Sequence, residues 1–239
     1  LQELENLENA SETQNVNKTE ECSSVLDCCN EIIIIEASVQ HDLNPQTTSY
    51  TVDTAILSGL YEGLVSNNPK TLEPEFAIAN DYKISRDKKR WTFTIRENAC
   101  FSNGEKITAE SVKKSFLMLL SNPNAPYASL IDIIRGAEAY RNGTGKVEDV
   151  GIVVNSENKI TFVLNTPANY FLSVLCHTSF SIVHEDKNVY SGPFILALNK
   201  NGVIDLLKNE NYWDKNNVKL EKITFLQSDD EELNTQLFN

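Results

Sequence analysis

Gly59-Leu60-Tyr61-Glu62-Gly63-Leu64, Leu72-Glu73-Pro74, Trp91-Thr92-Phe93-Thr94-Ile95-Arg96, and the run from Phe101-Ser102-Asn103-Gly104 to Ile107-Thr108-Ala109-Glu110-Ser111-Val112 decide the fold. All lie between Leu57 and Phe116. Ile56, Leu57, Leu60 and Leu64 recur at helical spacing, and Gly63 is placed to end that helix. Trp91, Phe93 and Ile95 alternate with Thr92, Thr94 and Arg96, the period of an antiparallel strand with one buried face. Gly104 suits a turn that needs positive φ. Thr108 is placed as an N-cap, with Glu110 and Ser111 in the first helical turn. Val112, Ser115, Phe116, Leu119 and Leu120 then form the apolar side of the helix, which ends at Asn122-Pro123. The stretch offers no nucleophile, metal cage or phosphate loop.

Working outward, residues 1–30 are rich in Glu, Asn, Ser and Thr, and they read as a flexible acidic leader or tether. Order begins at Glu31. The β-branched run Ile32 to Ile35 predicts a strand buried on both faces. Asn67-Asn68-Pro69-Lys70 and Arg86-Asp87-Lys88-Lys89 are turns, with a strand expected within Phe76 to Ile84. Helical segments are predicted from Tyr127 through Ile134, at Gly136 to Tyr140, and after Pro167. Strands are predicted at Val150–Val154, Lys159–Leu164, Phe180–Val183, Phe194–Leu198, Val203–Lys208 and Leu220–Leu226. A helix is expected to start at Asp229-Asp230-Glu231-Glu232, where acids suit the helix dipole. Mixed short strands and helices mean an α/β or α+β domain.

The net charge of −13 argues against a nucleic-acid or anionic-membrane partner, because both need basic patches. No apolar run approaches the ~20 residues of a membrane-spanning helix. The acidic, polar first residues do not resemble a signal peptide, which leaves a cytosolic protein or a mature chain. Cys22 lacks the small, apolar residues expected ahead of a lipid-modified cysteine, since Thr19-Glu20-Glu21 precede it. Cys22 with Cys28 or Cys29 could close a small disulfide loop; a zinc site fits poorly without C-x2-C spacing. A flexible cysteine-bearing leader is the preferred reading. Cys100 and Cys176, in apolar surroundings, read as core fillers. Neither G-x-S-x-G, H-E-x-x-H nor a Walker sequence occurs, so no enzyme activity, cofactor or metal is expected.

The order of these pieces resembles the extracytoplasmic solute-binding proteins of peptide-type ABC transporters, the oligopeptide- and dipeptide-binding family. The shared words are Leu43-Asn44-Pro45, Leu60-Tyr61-Glu62-Gly63-Leu64, the Trp91 strand, the Phe101 turn with its capped helix, and Pro126-Tyr127-Ala128-Ser129. Gly136-Ala137, Val150-Gly151-Ile152, Ser191-Gly192-Pro193-Phe194 and Asn211-Tyr212-Trp213-Asp214 complete them in family order. The resemblance implies a periplasmic-binding-protein type II-like α/β fold, a mixed sheet with flanking helices. Residues 31–239 would be the first lobe of a two-lobed clamshell, with the second lobe and the returning C-terminal segment outside this sequence. It also implies a small peptide ligand, an ABC permease as membrane partner, and an extracytoplasmic location with tethering through the leader.

The resemblance further implies ligand contacts. Ungapped carry-over from Leu43 to Leu64 places Ser49, Tyr50 and Thr51 at peptide-contacting positions, where a strand end running into a helix start presents free N–H groups. The alternative for them is an ordinary connection. Tyr127 matches a family tyrosine that faces peptide; otherwise it is a core or rim residue. His177 lies where relatives show a histidine near the cleft, although a lone His is more often structural. Glu62 is expected to fix structure on the helix face, Trp91 and Trp213 to be scaffold aromatics, and Gly192 to answer a backbone need. His41 and His184 carry no pattern for metal or catalysis. A rival reading, prompted by the stop at Asn239, is a lobe acting as an interaction module, paired with a second-lobe chain or in an oligomer that covers exposed apolar surface.

Overall fold

The computed structural model describes residues 30–229. The leader with Cys22, Cys28 and Cys29, and the helix expected to start at Asp229-Asp230-Glu231-Glu232 except for Asp229 itself, lie outside the described residues. The first eight elements are strand β1 (Glu31–Glu36), helix α1 (Asp53–Leu60), strands β2 (Val65–Asn67), β3 (Pro74–Phe76), β4 (Ala79–Ile84) and β5 (Arg90–Ile95), and helices α2 (Ala109–Ser121) and α3 (Ala137–Arg141). Strands β6 (Ile152–Ser156) and β7 (Lys159–Val163), helix α4 (Phe171–Leu175) and strands β8 (Phe194–Lys200), β9 (Val203–Lys208) and β10 (Lys222–Gln227) follow.

One antiparallel sheet runs β4-β5-β7-β6. Trp91 pairs with Phe162 and Phe93 with Ile160, and the Trp91-Phe93-Ile95 face is buried as its alternation requires. Helix α2 covers that face. Thr108 and Ser111 form a reciprocal capping box at its start. Its residues Val112, Ser115, Phe116, Leu119 and Leu120 are all buried, and the Phe116 ring lies 5.0 Å from that of Phe162. Gly104 takes the expected positive φ of 85° in the preceding turn.

The second sheet runs β1-β10-β9-β8, with β1 parallel to β10 and the remaining pairs antiparallel. Helix α1 lies on it, and Ile56, Leu57 and Leu60 join Phe194, Ile204, Leu206 and Phe225 in a separate core. Gly192 lets the chain run against α1, because a Cβ there would fall 2.7 Å from the Gly59 carbonyl oxygen and the Tyr61 nitrogen. The backbone need expected of Gly192 is therefore set by the helix end.

Four expectations need correction. Ile32, Ile33 and Ile34 are 43%, 59% and 37% exposed rather than buried on both faces. β1 is the edge strand, and α1 sits over β8 and β9, so the face carrying Ile32 and Ile34 runs out from under the helix. Helix α1 ends at Leu60, before Gly63. Gly63 instead permits a close approach, with a Cβ meeting the Val65 carbonyl at 3.0 Å and that of Leu175 at 3.4 Å. Phe180–Val183 is not a strand: a 3-10 turn spans Thr178–Phe180, and an extended segment follows whose Ile182 N–H donates to the Glu62 carbonyl. The helix expected from Tyr127 shrinks to a 3-10 turn, Ala128–Ile131.

Candidate functional site

Beside the loop that leads into α1 opens a cavity of about 260 Å³. The loop before α1, the Tyr127 turn and the segment after α4 all reach it. Ser49, Tyr50, Thr51, Tyr127 and His177, far apart in sequence, all line it. The Tyr127 and His177 rings meet at a tilt of 53°, with centroids 4.6 Å apart. Tyr50 is 61% exposed, so its ring stands at the rim.

The loop presents backbone as well as side chains. Thr48 Oγ1 accepts from the Tyr50 N–H at 3.2 Å, and the Tyr50 carbonyl accepts from Asp53 at 3.3 Å. The N–H groups of Ser49 and Thr51 donate to no other described residue, so both remain open to an incoming acceptor. His177 is held by its own turn: Nδ1 accepts from the Ser179 N–H at 3.2 Å. That bond requires an unprotonated Nδ1, and burial lowers the His177 pKa in the same direction.

Sequence reasoning missed two groups here. Ser179 is 1% exposed, lines the cavity, and its hydroxyl has no partner among the described residues. A buried hydroxyl without a partner is costly. Cys176, expected in the core, is only partly buried and lines the cavity, because α4 ends at Leu175 and turns its next residues toward the loop. Their adjacency to His177 was the available signal. Burial pushes the Cys176 thiol up to about 11, which keeps it protonated near neutral pH.

Other singled-out residues serve the frame. Trp91 is buried in the large core. Glu62 is not on the helix face; it follows α1 and accepts from Tyr212 and Trp213. The Arg96 guanidinium lies 3.8 Å from the centroid of the Trp213 ring. His184 sits by Glu105 at 3.1 Å, in an exposed pair. No helix of the described residues is long and apolar enough to cross a membrane.

Comparison with known proteins fits this architecture. The model of the bacterial extracellular solute-binding proteins, family 5 Middle, matches residues 73–239. The chain is 34% identical over 197 residues to the dipeptide-binding protein DppE of Bacillus subtilis, covering 76% of this chain and 36% of DppE. It is 32% identical over 197 residues to the oligopeptide-binding protein OppA of the same organism, with the same shares of 76% and 36%. Among solved structures, peptide-bound OppA of Listeria monocytogenes superposes with a TM-score of 0.82 at 26% identity, covering 89% of this chain and 45% of that one. The chain therefore spans less than half the length of these relatives. The fold is that of the type II periplasmic binding proteins, an α/β arrangement of mixed sheets with flanking helices. The chain belongs to the bacterial extracellular solute-binding proteins, family 5.

Proposed function

We propose that this chain supplies one wall of a peptide-binding cleft in the substrate-binding component of an ABC importer, outside the cytoplasm. The observation that carries this reading is the cavity lined together by Tyr127, His177 and the loop from Ser49 to Thr51, in which the Ser49 and Thr51 N–H groups have no acceptor among the described residues. Peptide carbonyls pair with those N–H groups as an added strand does. The Tyr127 ring gives apolar contact that tolerates varied side chains. Binding is non-covalent, and closure of a second lobe over the peptide signals the permease. Residues 31–239 act as the first lobe, and the acidic leader 1–30 as a tether. Calorimetric titration of the intact protein with a mixed pool of short peptides tests this. Saturable heat that Tyr127→Ala weakens is the expected result; neither heat nor thermal shift from the pool overturns it.

A second reading rests on β1, the edge strand of its sheet among the described residues. Ile32, Ile33 and Ile34 with Leu198 and Leu207 expose large apolar side chains on one sheet, which suits a protein partner or second-lobe chain. Sedimentation analysis separates the two readings, because a strictly monomeric species that binds peptide leaves this one without support.

A further inference from the structure

The loop that carries Ser49 to Thr51 is held from behind by a line of buried polar groups. The His41 side chain is 3% exposed and lies between two carboxylates. Its Nδ1 is 2.8 Å from Oδ1 of Asp53, the first residue of α1, and its Nε2 is 2.6 Å from Oε1 of Glu36, the last residue of β1. Asp53 is wholly buried. Its other oxygen accepts from the Asp42 N–H at 3.3 Å and from the Thr48 hydroxyl. Thr48 in turn accepts from the Tyr50 N–H, within the cavity-lining loop.

The geometry sets the protonation state. A neutral imidazole has one N–H, whereas an imidazolium has two. With a carboxylate oxygen on each ring nitrogen, only the imidazolium donates to both. Loss of that proton leaves one carboxylate against a lone pair, and it strips the buried Asp53 of its cation, a costly state for a charge without solvent. The neutral ring keeps at most one of the two hydrogen bonds, so the carboxylate that also holds Thr48 loses its cation and is less firmly placed. The charged groups facing the ring are Glu36 from β1 and Asp53 from α1; neighbouring Asp42 spends its carboxylate on the Asn44 N–H and the Thr47 hydroxyl.

We propose that His41 is a positioning residue for the peptide-facing loop. As an imidazolium it fixes Asp53, which fixes Thr48 and through it Tyr50; on deprotonation the loop loosens and peptide affinity falls. The peptide clause rests on the function proposed above, whereas the loop clause does not. Burial lowers the His41 pKa, but the hydrogen bonds and charges of Asp53 and Glu36 outweigh it and leave the value raised. The sign follows: a histidine with a higher pKa folded than unfolded contributes order that is full below about 6.5 and is lost as pH rises through the folded value.

Amide hydrogen exchange of the intact protein, corrected for intrinsic rates, tests this from about pH 6 to about pH 9. The amides of Thr48 and Tyr50, the two bonded in the loop, are followed beside segment 91–95 of β5 as control. The expected result is roughly a tenfold loss of protection in the loop across that range, equal to about 1.4 kcal/mol, with the control unchanged. His41→Gln, which cannot carry the charge, is expected to abolish the pH step. Should that variant unfold, Thr48→Val takes its place: it keeps the clamp but cuts the link, so the loop is expected to be loosely protected at every pH. A flat wild-type profile, or a step that persists in either variant, overturns the proposal. A step without any measurable peptide affinity upholds the relay and removes only the peptide reading.

Discussion

The indole N–H of Trp213 donates to Oε2 of Glu62 at 2.6 Å, across 151 positions of sequence. The Tyr212 hydroxyl donates to the other oxygen at 2.5 Å. Arg96, at the end of β5, lies over the same indole and donates Nε to the Ala77 carbonyl at 2.6 Å. One carboxylate thus ties the second sheet's β9–β10 connection to the chain between the two cores.

Burial raises the Glu62 carboxyl to about 7, although Tyr212, Trp213 and Arg96 pull it down. A carboxyl with a higher pKa folded than unfolded stabilises below its unfolded value, and that contribution is lost as pH rises through about 7. At about 1.4 kcal/mol per pKa unit, the loss is on the order of 3 kcal/mol. Denaturant melts of wild type and Glu62→Gln across this range are expected to converge in slope only above it, with the Gln variant flat. Parallel curves would show that Glu62 does not titrate there.

His177 yields a second pH effect of opposite sense. Its pKa is lowered by burial, and its Nδ1 must stay unprotonated to accept from Ser179. The contribution is present above about 6.5 and is lost as pH falls. Peptide affinity is expected to weaken in acid, and His177→Ala to remove that acid limb at a cost of roughly tenfold. An unchanged acid limb in the variant counts against a cleft role for the ring.

Gly192→Ala is expected to destabilise the protein by about 1–3 kcal/mol. The added methyl would fall 2.7 Å from the main chain at Gly59, Leu60 and Tyr61, where no flexible side chain can yield. A melting temperature equal to wild type would mean that the end of α1 shifts freely.

Cys176 is expected to resist alkylation. Its thiol, pushed up to about 11, holds roughly a hundredfold less thiolate near neutral pH than an ordinary cysteine. Iodoacetamide labelling followed by peptide mass spectrometry should show slow modification when folded and fast modification in denaturant. Equal rates would place the thiol in open solvent.

Local order was legible in the sequence. The Trp91 strand, the Thr108 cap and the α2 stripe each sit within one period of a regular element, so alternation and capping sufficed to read them. Exposure of Ile32 to Ile34 was not legible, because a β-branched run signals a strand without saying whether a helix covers it. The loop, Tyr127 and His177 were found through resemblance, and the structure gathers them at one cavity. Ser179 and the Glu36–His41–Asp53 line escaped notice. A polar residue in a turn looks alike in sequence whether its hydroxyl meets water or is buried without a partner, and no period relates those three positions.

The parallel pairing of β1 with β10 also governs how this chain comes off a ribosome. The α2-covered sheet lies between residues 79 and 163 and can close while synthesis continues. β1 emerges before all other described elements, yet β10, its strand partner among the described residues, is the last of them to be made. Until then its isoleucines are unpaired as well as uncovered, at a high cost in loop closure. That interval, rather than the finished fold, is where a chaperone has the most to protect.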